Sequence, residues 1–163
     1  MIFDFERKGY LAKSHLENNP SLPFYVYDNQ TTESVYDDYY LHVWENQIDE
    51  FLSNKLKDSG FKVVSHVFRS GYVYRTYGAL ADNVPDYFSL TDLTEATTIG
   101  LQSEESFASE THEFERLLEV LSMIRNDISV KHLFIWFANS SFDIRGEELH
   151  TIESIDDVKE SLK

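Results

Sequence analysis

The feature that most constrains the fold is a pair of segments, rich in β-branched and aromatic residues, on either side of a short turn. Residues 61–68 and 72–77 flank Ser70-Gly71, which suits the two-residue turn of a β-hairpin. The register imposed by this turn places His66 opposite Arg75. A hairpin of this kind requires a sheet that contains antiparallel strands.

The clearest helix is predicted further along the chain, where apolar residues recur every three or four positions. The stripe consists of Phe107, Phe114, Leu117, Leu118, Leu121 and Ile124. Glu104 and Glu105 are expected in the first turn and Arg125 in the last, charges that suit the helix dipole. Asn126-Asp127 is expected to end the helix. Leu118 is expected to be a core residue.

A second long helix is predicted before the hairpin. Its apolar positions are Trp44, Ile48, Phe51, Leu52 and Leu56, with Gly60 placed as a C-terminal cap. The same period extends back to Tyr36 and Tyr40, so the helix is predicted to begin near Glu33. Residues 33–43 also fit a partial strand alternation, and this alternative stays open.

The remaining segments give shorter elements. Residues 4–16 are interpreted as a helix capped by Asp4, and residues 24–27 as a strand. Residues 130–138 form an apolar run that predicts a central strand covered on both faces. Ser154 and Asp157 fit a capping box at the start of a last helix.

Two stretches have weaker patterns. Residues 82–102 are interpreted as a long loop with a possible short strand at 87–90. Residues 142–146 are interpreted as a tight turn, with 149–152 returning as a strand. The chain of 163 residues is therefore predicted to be a single α+β domain spanning 1–163. We expect a mainly antiparallel sheet of about five to six strands, with two long and two short helices packed on it.

The composition excludes several classes of function. There are 29 Asp and Glu residues against 14 Lys and Arg residues, a net charge of -15, which opposes direct binding to nucleic acid or to an anionic membrane. The chain has no cysteine, which removes disulfides, thiolate catalysis and zinc fingers. The first residues are charged where a secretory signal would be apolar, so the protein is expected to be cytoplasmic.

The sequence contains none of the common catalytic or phosphate-binding motifs. The six histidines are scattered, one to each predicted element, and none has partners at metal-ligand spacing. We therefore predict no catalytic residues, no cofactor and no metal, and a protein that is not an enzyme.

The charges are segregated along the chain. No Lys or Arg occurs between Lys13 and Lys55 or between Arg75 and Arg116, whereas acidic and aromatic residues are interleaved in both stretches. Because tyrosines are preferred interface anchors, these stretches predict a surface that binds a partner. The candidate contacts are Glu33, Tyr36, Asp37, Asp38, Tyr40, Asp82, Asp86, Glu104 and Glu105.

The leading functional hypothesis is an acidic inhibitor that binds a basic protein and occludes it. An immunity protein or antitoxin against a toxin nuclease, or a nucleic-acid mimic that blocks a defence enzyme, would have this character. One alternative is an enzyme or small-ligand-binding domain with a pocket near His66, Arg75 and Tyr77. A further alternative is a structural subunit of an assembly.

Overall fold

The protein has eight strands in two sheets in the part of the chain that a computed structural model describes, residues 2–4, 9–17, 19–30, 34–67, 84–90, 93 and 96–162. The strands are β1 Ile2–Asp4, β2 Gly9–Leu16, β3 Asn19–Asn29, β4 Ser34–Asp37, β5 Lys62–Val67, β6 Thr97–Gln102, β7 His132–Trp136 and β8 Ser141–Arg145. The helices are α1 Tyr39–Lys55, α2 Thr111–Asp127, α3 Gly146–Leu149 and α4 Ile155–Ser161, with a 3₁₀ turn at Tyr87–Ser89. The predicted α+β class is confirmed, with two long and two short helices.

The strands divide between the two sheets in chain order. The first sheet, β1-β2-β3-β4, is antiparallel throughout. The second, β5-β6-β7-β8, is mixed, because β6 and β7 run parallel while the outer pairs are antiparallel. A parallel pair needs a long crossover, and α2 lies in that connection.

The core lies between the long helices and the inner face of the second sheet. Register places Ile99 beside Leu133 and Leu101 beside Ile135, and all four side chains are fully buried. The helical side of the same core includes Ile48, Leu52, Leu117 and Leu121. Helix α1 contacts β3 as well as β5, so it touches both sheets.

The N-terminal segment differs from its prediction. The described residues of the predicted helix, Asp4 and 9–16, lie in strands instead, because β2 pairs antiparallel with both β1 and β3. The pairing with β3 runs from Gly9 opposite Asn29 to Ser14 opposite Phe24. Long-range hydrogen bonds therefore override the local helix signal at Asp4. The strand predicted at residues 24–27 is confirmed as part of β3.

Helix α1 begins later than the favoured interpretation of residues 33–43. Residues 34–37 are β4, and the helix starts at Tyr39, so the strand alternative was right for that segment. The Oδ1 atom of Asp37 accepts a hydrogen bond from the backbone N–H of Tyr39 at 3.1 Å. The predicted cap at Gly60 is also wrong, because α1 ends at Lys55 and Gly60 lies in the following turn with φ of 76°.

The long loop predicted at 82–102 contains a buried strand. Thr97 to Leu101 of β6 are buried on both faces, so the strand shows no alternation that would have predicted it. The possible strand at 87–90 is instead the 3₁₀ turn. The N–H of Trp44 Nε1 donates to the carbonyl oxygen of Pro85 at 2.9 Å and ties this segment to α1.

Helix α2 is present with the predicted apolar stripe over Phe114, Leu117, Leu121 and Ile124, but it begins later than predicted. It begins at Thr111, with Glu113 and not Glu104 or Glu105 in the first turn. Phe107 precedes the helix, although its ring still contacts that of Phe114. Leu118 is only partly buried, whereas Leu117 is fully buried. The predicted end at residues 126–127, with Arg125 in the last turn, is confirmed.

The C-terminal segments are partly as predicted. The strand at 130–138 is β7, but its burial alternates, so only one of its faces is covered. Residues 141–145 form β8 rather than a turn, and residues 149–152 form no strand because α3 and a following turn occupy them. The capping box of Ser154 and Asp157 is confirmed at the start of α4.

The predicted hairpin is described only in its first arm. Residues 62–67 are confirmed as β5, which pairs with β6. The turn and the second arm, residues 70–77, lie outside the described residues, and the hairpin stays a prediction.

Candidate functional site

The acidic residues proposed as partner contacts do not gather in one place. Glu33 and Asp82 lie outside the described residues, and so do Arg75 and Tyr77 of the alternative pocket. Tyr36 lies in β4. Of the other six, Asp37, Asp38, Tyr40 and Asp86 lie near α1, whereas Glu104 and Glu105 lie beyond the end of β6.

Two of these six side chains, those of Tyr40 and Asp38, make contacts within the fold. The Tyr40 side chain is only 2% exposed and packs edge-to-face on Trp44, with ring centroids 5.3 Å apart. Asp38 is 13% exposed, and its Oδ1 accepts a hydrogen bond from the backbone N–H of Tyr25 at 2.6 Å. Their expected role as surface contacts is therefore corrected: Tyr40 is a core residue, and Asp38 joins α1 to β3.

Asp37 and Asp86 lie near the first half of α1. Asp37 is half-buried at the end of β4, two residues before the helix, and Asp86 is exposed immediately before the 3₁₀ turn. The backbone N–H of Tyr87 donates to the Oε1 atom of Gln47 at 2.8 Å, which holds this turn against the middle of α1.

Glu104 and Glu105 lie beyond the end of β6, beside Phe61 and Lys62. Both are exposed, and Glu105 Oε2 accepts a hydrogen bond from Arg116 Nη1 of α2 at 2.9 Å. Exposed carboxylates continue on the outer surface of that helix. We call the resulting set the acidic edge: Glu104, Glu105, Glu110, Glu115 and Glu119.

A network of acidic and imidazole side chains links α1 to β5. His42 lies 3.5 Å from Asp38 Oδ1 through Nε2 and 3.1 Å from Glu45 Oε2 through Nδ1. The other oxygen of Glu45 is 3.3 Å from Nδ1 of His66 and accepts the backbone N–H of Val67 at 3.1 Å. The sequence signal for this network was the spacing of Asp38, His42 and Glu45 along one helix face.

The network changes the acidity of its inner members. Hydrogen bonds to Asp38 and then to Glu45 raise the pKa of His42 to about 9, against the opposing effect of burial. Burial acts to raise the pKa of Asp38, but the bonds from His42 and the Tyr25 amide outweigh it, and the pKa of Asp38 is lowered. The imidazolium of His42 is therefore held between two carboxylates, which suits a structural clamp.

We expect His42→Gln to reduce stability in a pH-dependent way. The folded-state pKa is above the ordinary value of 6.5, so this contribution is fully present below 6.5 and is lost as pH rises through about 9. The stability difference from the parent should shrink by about 1–2 kcal/mol from about pH 6 to about pH 9.5, after allowance for solvent screening. Urea unfolding at the two pH values measures it.

The control is His112→Gln, which changes an exposed histidine on α2. It should alter the free energy of unfolding by less than about 0.5 kcal/mol at either pH. A His42→Gln difference that stays constant with pH would contradict the charged clamp.

The Lys, Arg and His side chains of the second sheet lie on its outer face, opposite the core. Lys62 and His66 of β5, His132 of β7 and Arg145 of β8 all belong to this face by register. The acidic edge follows the helical side and the end of β6. The charges are only partly separated in space, because Asp143 lies on the outer face and Arg116 lies at the acidic edge.

Among the residues that the structure describes, no group of three or more His, Asp or Glu side chains could hold a metal ion. Within the same ranges, no helix combines the length and apolar character needed to cross a bilayer.

No protein-family model matches the chain, and searches of curated proteins and of solved structures found no significant match either.

Proposed function

We propose that the protein acts in the cytoplasm by binding a basic protein partner through the acidic edge and occluding a cationic surface on it. The observation that carries this proposal is the run of five exposed carboxylates from the end of β6 along α2. Cations border it in the described part of the chain, among them Lys159, whose ammonium lies over the ring of Phe114. Arg116 is engaged by Glu105 and lies over the ring of Phe61, and Lys62 lies on the outer face of the sheet.

The fold holds the acidic edge in place before any partner arrives. Glu113 of α2 is buried, and its Oε2 atom accepts the backbone N–H of Ala108 at 2.6 Å. Asn139 accepts a hydrogen bond from the N–H of Phe107 at 2.7 Å and donates one to its carbonyl oxygen at 3.0 Å. A surface that is already ordered loses little conformational entropy when it binds, which favours affinity.

The electrostatics favour a partner with a clustered positive surface. A net charge of -15 steers a basic protein towards the chain and can raise association rates by ~10 to 10³. Grooves that bind phosphates are the commonest surfaces of this kind. The proposed partner class is therefore a toxin nuclease or another nucleic-acid-processing enzyme, with the protein as immunity protein, antitoxin or nucleic-acid mimic.

Self-association through the same surface is disfavoured. A twofold dimer brings the same patch of both copies together, so the carboxylates of the acidic edge would face one another. Like charges opposed in an interface cost free energy. A heterologous basic partner meets no such repulsion.

We expect binding to depend on the acidic edge more than on total charge. Changing Glu104, Glu105, Glu110, Glu115 and Glu119 together to Gln should leave the fold intact, because all five side chains are exposed. The variant should lose most of the salt-sensitive capture of basic proteins from the source cell, with association slowed about tenfold or more. Capture on tagged protein at low and high salt, followed by kinetics with the recovered partner, measures both effects.

The matched control removes the same amount of charge elsewhere, by amide substitution of Glu17, Glu50, Asp58, Glu153 and Glu160. Its association rate should stay within about threefold of the parent, because only long-range steering changes. If the association rate fell equally in both variants, net charge alone would explain the binding. The acidic edge would then not be a defined interface. Recovery of no basic partner would contradict the proposed function itself.

A further inference from the structure

A cavity lies where β7 begins and β8 ends. It has a volume of about 540 Å³ and is lined by Lys131, His132, Arg145, Glu147 and His150, among others. The lining holds two permanent cations, two imidazoles and one carboxylate, Glu147, whose Oε1 atom lies 3.9 Å from Arg145 Nη1. Without the imidazoles the lining carries one net positive charge, in a protein whose net charge is -15, and this suits a small anion.

The backbone brings these groups together. Register pairs His132 with Arg145 across β7 and β8, and His132 Nδ1 lies 3.0 Å from Asp143 Oδ1, which orients the ring. The backbone N–H of Gly146 donates to the carbonyl oxygen of Lys131 at 2.9 Å, which holds the start of α3 against the start of β7. The cavity is therefore part of the folded sheet and not of an isolated loop.

An aromatic ladder leads from the cavity along the outer face of β7. His132, Phe134 and Trp136 are stacked, with successive ring centroids 5.7 Å apart and ring planes within 6° and 14° of parallel. Trp136 is 41% exposed. A Cβ atom on Gly100 of the neighbouring strand would lie 2.9 Å from Cη2 of Trp136, so this glycine gives the indole room against the sheet.

We infer that the cavity and the aromatic ladder form one binding site for a small phosphorylated ring compound of the nucleotide class. The phosphate lies against Lys131 and Arg145, and the ring contacts Phe134 and Trp136. Cationic groups bind phosphate by charge-assisted hydrogen bonds, and aromatic side chains stack on any base with little sequence preference. The cavity volume lies within the range of small-molecule sites.

The lining of the cavity orients the ligand, and the acidic surface of the protein limits its size. Lys131 and Arg145 hold the anionic end beside His132, so the ring extends along the outer face of β7 towards Trp136. A long nucleic acid strand would meet the acidic residues of the rest of the surface, whereas a mononucleotide would not.

The test is calorimetric titration of the full chain with adenosine monophosphate, adenosine, inorganic phosphate and a single-stranded RNA oligomer. Adenosine monophosphate should bind more tightly than adenosine or phosphate alone and should quench tryptophan fluorescence. That quenching reports on Trp136, because Trp44, the second tryptophan, is fully buried. The RNA oligomer should bind no better than the mononucleotide.

Matched variants locate the ligand. Lys131→Gln and Arg145→Gln, both at exposed side chains, should each weaken adenosine monophosphate binding about tenfold. Phe134→Leu should weaken the binding of adenosine monophosphate about fivefold or more but leave the binding of phosphate unchanged. The control Lys62→Gln removes a cation from the same sheet face outside the cavity and should have little effect.

Several results would overturn the inference: no binding of the mononucleotide or phosphate at millimolar concentration, equal weakening by Lys62→Gln, or RNA binding without mononucleotide binding. The five-residue variant of the acidic edge should bind the mononucleotide at least as well as the parent. This separates failure of the ligand site from failure of the proposed inhibitor function.

Discussion

Leu117→Ala is expected to lower the free energy of unfolding by about 2–5 kcal/mol, one of the two largest effects that we anticipate. Leu117 is fully buried on the inner stripe of α2, in the same core as Ile124 and Ile135. Truncation removes apolar contact and leaves a cavity that rigid neighbours on the sheet cannot fill. Denaturant unfolding with an unchanged m-value would measure the loss.

The neighbouring substitution Leu118→Ala is the matched control. Leu118 is only partly buried and packs against the edge of the core, so its truncation should cost about 1 kcal/mol. Equal losses at the two positions would mean that the apolar stripe of α2 is centred one residue further on. The pair therefore tests which of the two neighbouring leucines, both part of the predicted stripe, lies at the centre of the buried face.

The sequence predicted secondary-structure elements best where one face is buried in the core and the other is exposed to solvent. Helix α2 and the capping box at Ser154 show this, since the local pattern and the local hydrogen bonds agree. It failed at β6, whose residues Thr97 to Leu101 are buried on both faces and so carry no period. It also failed at β2, where pairing with β3 supplies the hydrogen bonds.

The candidate site was predictable only in part, for a related physical reason. Charge patterning indicated Glu104 and Glu105, which are exposed and begin the acidic edge. The same charge patterning could not distinguish exposed partner contacts from Asp38 and Tyr40, which join α1 to its neighbours within the fold. The aromatic ladder was hidden in the run Leu133 to Trp136, because a continuous apolar sequence predicts burial on both faces.

One feature of the sequence could have indicated the aromatic ladder. His132, Phe134 and Trp136 occupy every second position, alternating with the aliphatic residues Leu133 and Ile135. Aromatic residues on one face and aliphatic residues on the other distinguish the two sides of β7, and the burial pattern follows this division. Residue chemistry, rather than hydrophobicity alone, therefore distinguishes an outer face from a core face.

The second large effect is expected for Gly146→Ala, which should lower the free energy of unfolding by about 2–4 kcal/mol. A Cβ atom at position 146 would overlap the carbonyl oxygen of Val130 and lie 3.0 Å from its carbonyl carbon. These are backbone atoms, and the hydrogen bond from Gly146 N–H to Lys131 holds the two segments together. The added methyl group can be accommodated only if the junction of β8 and α3 moves away from the start of β7.

Gly60→Ala separates this steric effect from the usual cost of replacing glycine. Gly60 has φ of 76°, where an L-residue is strained, but its Cβ would meet only Arg116 Nη1 at 3.6 Å. Its substitution should cost about 1–2 kcal/mol. If Gly146→Ala cost no more than Gly60→Ala in the same unfolding experiment, the close approach of Gly146 to Val130 would not be a rigid feature of the fold. The cavity that the two segments enclose would then adapt to its contents, because the contact that fixes its floor would yield to a single methyl group.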